Sequence, residues 1–138
     1  MIKQIKNAIA EAYHSAYPTY TIRDEEIPSG FKNPTFVIMV YNFEYKQTLG
    51  DKYTGTLYFD DLYFTTASST GIKSDLLSVQ QTITRAFTKL NGFRAIRQTC
   101  DIVDNVLHHK YRIKYKELRK EDVEKINTML LSIKERSN

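Results

Sequence analysis

Cysteine, glycine, proline and histidine are all scarce in this chain, and each scarcity rules something out. One cysteine, Cys100, excludes an intramolecular disulfide and a multi-cysteine zinc site. Its place on an apolar strand face reads as a small buried filler rather than a nucleophile. The five glycines are scattered and form no phosphate-cradling loop. Pro18 ends a helix by disfavouring helical geometry in Tyr17, and Pro28, Gly30 and Pro34 mark a loop. No apolar run approaches the roughly 18–20 residues that cross a bilayer. Met1 to Lys6 starts an amphipathic pattern rather than the apolar core of a secretory signal. The expectation is a soluble protein, made in a reducing cytoplasm and without contact to a membrane.

Catalytic chemistry finds little footing. His14 stands near the end of a surface helix. His108 and His109 are adjacent in a strand, so they point to opposite faces and cannot share a metal. Asp60 and Asp61 diverge for the same reason. Ser68-Ser69-Thr70 has no neighbouring general base. The expectation is therefore no enzyme, no metal and no cofactor.

What the chain does contain fits one domain of 138 residues, 41% hydrophobic and 12% aromatic, with a core that needs no cross-links. Ile2, Ile5, Ile9, Ala12, Tyr13 and Ala16 recur at helical spacing over 2–16. A short strand follows over 20–23, then a loop over 24–33. Residues 35–43 (TFVIMVYNF) are apolar on both faces up to Val40 and predict one strand, either central or an edge covered by another subunit. Residues 44–52 are polar, with a turn at Leu49-Gly50-Asp51, and a second long strand runs over 53–64. Together these make a long hairpin with a protruding tip. A helix over 73–90 buries Leu76, Val79, Ile83, Ala86, Phe87 and Leu90. A last helix over about 119–136 carries the stripe Val123, Ile126, Leu130 and Ile133 and is a candidate interface element. The fold class is α+β, with three helices packed on a largely antiparallel or mixed sheet.

Residues 94–116 predict a second hairpin turning at Asp104-Asn105. Its ladder would pair Val103 with Val106, Ile102 with Leu107, Cys100 with His109, Gln98 with Tyr111 and Ile96 with Ile113. One face is then apolar. The other carries Arg97, Lys110, Arg112, Lys114 and Lys116. This register sets Arg97 against Arg112, a like-charge pair whose cost a nearby acid, such as one from a neighbouring subunit, would relieve. A net charge of +4 is mild and does not by itself imply nucleic acid. The basic strand face nevertheless offers a nucleic-acid-binding module as a rival reading.

Four stretches, taken in order, resemble a known family. They are Glu26-Ile27-Pro28-Ser29-Gly30-Phe31-Lys32-Asn33-Pro34-Thr35-Phe36, Leu49-Gly50-Asp51-Lys52-Tyr53, Phe59-Asp60-Asp61-Leu62-Tyr63-Phe64 and Ile102-Val103-Asp104-Asn105-Val106-Leu107-His108. The set is similar to the small tail terminator (tail completion) proteins of long-tailed phages and prophages of Gram-positive bacteria, and it covers most of the chain. Asp61 departs from that pattern, where an apolar residue is expected. Asn105 replaces a turn glycine, which a left-handed turn tolerates. The resemblance implies a structural virion protein without catalysis: a homo-oligomeric ring, commonly a hexamer, at the head-proximal end of the tail tube. Such a ring stops tube polymerisation and joins the tube to the head-tail connector or neck. It can touch the sheath in contractile systems, and DNA passes only through its lumen. The same part occurs in headless phage-derived particles. On this reading Glu44, Lys46, Gln47 and Lys52 are candidates for docking on the tube or sheath, and Arg97, Lys110, Arg112 and Lys114 for the subunit interface or the lumen. Another neck or connector protein would share these features.

Overall fold

The computed structural model describes residues 1–119. The elements run α1 (Ile2–Ala16), β1 (Thr21–Asp24), β2 (Thr35–Ile38), β3 (Val40–Leu49), β4 (Lys52–Phe64), α2 (Ile72–Ala86), β5 (Ile96–Val103) and β6 (Val106–Leu118). The α+β class holds, with two helices and six strands among the described residues. The helix expected over 119–136 lies outside them beyond Arg119.

The sheet is mixed, in the order β1-β2-β4-β6-β5, with β3 also on β4. Its spine is the antiparallel pair β4 and β6, matched from Lys52↔Leu118 to Phe64↔Val106. Strands β2 and β3 share the other edge of β4: β2 pairs with residues 62–64, and β3 with residues 52–59. β1 lies parallel to β2.

Alternation sets the layers. The odd-numbered residues Leu57, Phe59 and Tyr63 of β4 and Leu107, Tyr111 and Ile113 of β6 are buried against the helices. Helix α1 contributes Ile5, Ala8, Ile9 and Tyr13, and α2 contributes Leu76, Val79 and Ile83. Each fully buried side chain of this size is worth about 1.5–3 kcal/mol before entropy. Tyr63 donates to Asp75 at 2.7 Å and so ties the sheet to the first turn of α2.

Four details differ from the sequence reading. The apolar run 35–43 is two strands, broken at Met39. The polar stretch 44–52 is mostly strand rather than the tip of the hairpin: β3 continues to Leu49 and the chain turns only at Gly50 and Asp51, Gly50 having φ 59°. Helix α2 stops at Ala86, and Phe87 and Leu90 are buried beyond its end. The second hairpin turns at Asp104 and Asn105 with φ 50° and 62°, and pairs Val103–Val106, Ile102–Leu107 and Cys100–His109 as expected. Its far end does not. Arg97 takes φ 53° and bulges out, which shifts the register so that Ile96 faces Arg112. The pairs Gln98–Tyr111 and Ile96–Ile113 are absent, and the Arg97–Arg112 conflict does not arise.

Candidate interface: a projecting arm and its buried root

β3, the first half of β4 and the second half of β6 form a three-stranded ribbon. Its register gives two unlike faces. On the face turned away from the helices, Lys46, Thr54 and Lys116 stand in one row, Glu44, Thr56 and Lys114 in the next, and Asn42, Tyr58 and Arg112 in a third. On the helix side the rows are Gln47–Tyr53–Glu117, Tyr45–Gly55–Tyr115 and Phe43–Leu57–Ile113. Every residue from Tyr41 to Gly50 is exposed, so β3 projects as the free edge of an arm.

The helix-side face is an aromatic plate held by contacts within the ribbon itself. Tyr45 stacks on Tyr53 with ring centroids 5.1 Å apart and planes 8° apart, and Phe43 stacks on Tyr45 at 6.1 Å. Tyr45 donates to Glu117 at 2.9 Å. Tyr115 lies flat over Gly55, where any Cβ would overlap its ring. Gly55 is therefore needed for the close approach of a ring to backbone. Arg119 caps the plate, its guanidinium 5.3 Å from the Tyr53 centroid.

The opposite face is charged but partly answered from within. Lys110 pairs with Asp101 at 3.3 Å, His108 Nδ1 lies 3.0 Å from Asp60, and Arg112 sits over Tyr58 at 5.5 Å. The two patches drawn from the sequence thus become one surface. Glu44 and Lys46 join Lys110, Arg112 and Lys114 across β4, with Lys52 at the tip. Gln47 does not belong to it: it faces the helix side and donates to Gly50 O at 2.5 Å, holding the turn. Arg97 stands apart on the bulge of edge strand β5.

Where the arm leaves the body, two consecutive amides lose their ladder partners. Two carboxylates take them. Met39 N–H donates to Asp61 Oδ1 at 3.1 Å, and Val40 N–H donates to Glu25 Oε1 at 2.9 Å. Lys6 of α1 pairs with Glu25 at 3.1 Å and with Asp24 at 2.8 Å. The break at Met39 is therefore built, not frayed. Asp61, which departs from the family pattern, is 1% exposed. Its Oδ2 lies 2.6 Å from the Tyr13 hydroxyl and 2.5 Å from the Tyr111 hydroxyl. Tyr13 in turn lies 3.0 Å from His109 Nδ1. His109 Nε2 lies 2.8 Å from Gln98 Oε1, and Gln98 Nε2 donates to Thr84 O at 3.0 Å. Burial pushes the Asp61 carboxyl up to about 7, against the opposing pull of its bonds to Tyr111, Tyr13 and Met39. Burial also pushes His109 down to about 3. Cys100 is half-buried, and burial raises its thiol to about 11, as suits a filler.

Sequence reading missed the aromatic plate and the root. The plate had a signal: aromatics at 43 and 45 share a strand face, as do Tyr53 and Gly55. The signal for the root was the misplaced acid itself. Among the described residues no cluster of three or more His, Cys, Asp or Glu could hold a metal. No described helix is long and apolar enough to cross a membrane.

No curated protein matches the chain. A family model described as phage tail terminator protein matches residues 4–125, which run from the first turn of α1 through β6, and on that match the chain belongs to the phage tail terminator family.

Proposed function

We propose that this protein assembles as a ring of six copies that caps the head-proximal end of the tail tube, stops tube growth and joins the tube to the neck or connector. A structural role in the tail follows from the family. The observation that supports the finer reading is the arm, a three-stranded ribbon that leaves the body at a hydrogen-bonded root and carries unlike chemistry on its two faces. A ring closed by rotation needs a different patch on each side of the subunit, because a heterologous contact never meets itself. The charged surface of Glu44, Lys46, Lys52, Lys110, Arg112 and Lys114 is the docking surface for the end of the tube, or for the sheath where one exists. Gln47 acts on the arm's own turn, and Arg97 on the β5 edge faces a neighbouring copy. The protein performs no reaction and needs no cofactor. DNA meets it only in passing through the lumen.

The test is removal of residues 44–52 in favour of a short turn. The shortened protein should fold and remain soluble, and particles carrying it should have tails of unregulated length. Tails of normal length would remove the arm from the function. A second reading, nucleic-acid binding by the basic face, draws support from Lys114 and Lys116. Asp101 and Tyr58 already occupy Lys110 and Arg112, and Glu44 stands among the lysines, which favours a protein partner. Affinity for DNA that collapses with added salt would favour the second reading. Cosedimentation with tubes favours the first. Labelling of the chain in whole particles separates a tail cap from another neck protein by position.

A further inference from the structure

The contacts at the arm's root are one hydrogen short. Three links run in series: Asp61 Oδ2 to Tyr13 Oη at 2.6 Å, Tyr13 Oη to His109 Nδ1 at 3.0 Å, and His109 Nε2 to Gln98 Oε1 at 2.8 Å. Each link needs one hydrogen. Gln98 supplies none to this series, since Oε1 only accepts and its amide nitrogen donates to Thr84 O at 3.0 Å. Tyr111 also neighbours Tyr13, but it has one hydroxyl hydrogen and its link to Asp61 takes it. With Asp61 ionised and His109 neutral, Tyr13 and His109 bring one hydrogen each. One link would then set two lone pairs face to face in a site where Asp61, Tyr13, Tyr111 and His109 are all buried and Gln98 is half-buried. Turning the Gln98 amide over supplies the link to His109 but sets Oε1 against Thr84 O, which only moves the conflict.

We propose that the root holds one additional proton on Asp61, and that this proton completes a single donor chain from the arm's attachment point to α2. Asp61 donates to Tyr13, Tyr13 to His109 Nδ1, His109 Nε2–H to Gln98, and Gln98 to the Thr84 carbonyl. The other possible carrier, an imidazolium at His109, is disfavoured by the burial that lowers its pKa to about 3. The surroundings agree. Tyr13 faces Asp61 from α1, Tyr111 and His109 lie beside it on β6, and Asp60 adjoins it on β4 with a charge that opposes ionisation. Cys100 of β5 acts on Tyr13. Glu25 lies across the break and is answered by Lys6. Among the described residues, the largest contributions to the shift at Asp61 come from burial, Tyr111, Tyr13, Met39 and Asp60, and none of these is a lysine or an arginine.

The same acid oxygen pair holds the Met39 amide, so the proton also governs how firmly the arm is attached. The sign follows from linkage. The folded chain keeps a proton that the unfolded chain releases at an ordinary carboxylate pKa. This contribution to stability is full below that ordinary value, declines as pH rises, and is gone once the pH passes about 7, where the folded chain also ionises.

Infrared and nitrogen NMR spectra of the full chain test this directly. Near pH 6 the wild type should show a buried protonated-carboxyl band that is missing from D61N and fades as the pH is raised to about 8. His109 should be the neutral tautomer with hydrogen on Nε2 and a bare Nδ1. D61N can donate to Tyr13 and still accept from Met39. It should fold, protect the Met39 amide from exchange and lose the decline in stability between about pH 5 and 7. Absence of the acid band, or a protonated Nδ1 on His109, overturns the proposal even if D61N fails to fold. A folded D61N that keeps the wild-type decline overturns it as well.

Discussion

Along β4 the sheet passes between two regimes within a few residues. From Leu57 to Tyr63 its helix-side residues are buried, and the one acid among them has every oxygen engaged. From Lys52 to Thr54 the same strand leaves the helix layer and carries exposed and half-exposed side chains. The root meets its polar groups with side chains from α1, β5, β6 and the α2 backbone. The arm meets its own with rings and ions from the ribbon itself. An element held this way projects rigidly while its faces stay available. The contrast also separates two kinds of substitution: those at the root should act on folding, and those on the arm on assembly.

The largest effect should come from D61A. It removes the acceptor for Met39 N–H and the shared partner of two buried tyrosine hydroxyls. An unsatisfied buried group costs about 1–3 kcal/mol, so a loss of about 3 kcal/mol or more in urea-induced unfolding is expected. A loss below about 1 kcal/mol would mean that water reaches the root and that the regimes do not differ.

Next comes G55V, which tests whether the arm has a packed side of its own. The added atoms would collide with the Tyr115 ring. The expected cost is about 1–3 kcal/mol by calorimetry, as for overpacking elsewhere, together with altered fluorescence from the displaced tyrosines. A neutral result would show that the plate is not fixed. Smaller again is Y45F. It deletes the hydroxyl that donates to Glu117 but keeps the stack on Tyr53. Glu117 is exposed and regains water, so the loss in unfolding free energy should be the smallest of the three.

How much of this contrast was legible beforehand differs by region. The turn at Asp104-Asn105 and the core faces of α1 and α2 were legible, because periodicity and turn chemistry are local. The break at Met39 was not. TFVIMVYNF is uniformly apolar, and what interrupts it is an acid 22 positions later that captures an amide. The shift at Arg97 was hidden too, since an arginine at positive φ announces nothing in sequence. In sequence the arm looks like a polar tip, because Glu44, Lys46 and Gln47 interleave with Phe43 and Tyr45. Strand alternation sends Glu44 and Lys46 to one face and the two rings to the other, with Gln47 beside them. A net reading of the stretch averages those faces together.

The smallest effect on folding should accompany the largest effect on assembly. Lys46 and Lys114 stand in adjoining rows on the charged face, on either side of β4. Both are exposed, and neither forms an ion pair among the described residues. The double reversal K46E/K114E should therefore change unfolding free energy by less than about 0.5 kcal/mol. If an acidic partner seats on this face, the same variant should lose tail-length control, whereas E44K should keep it. If the face instead meets a basic partner, E44K fails and the double reversal is tolerated. Should both variants assemble normal tails, the charged face is not the docking surface, and the aromatic plate on the other side of the ribbon becomes the surface to test.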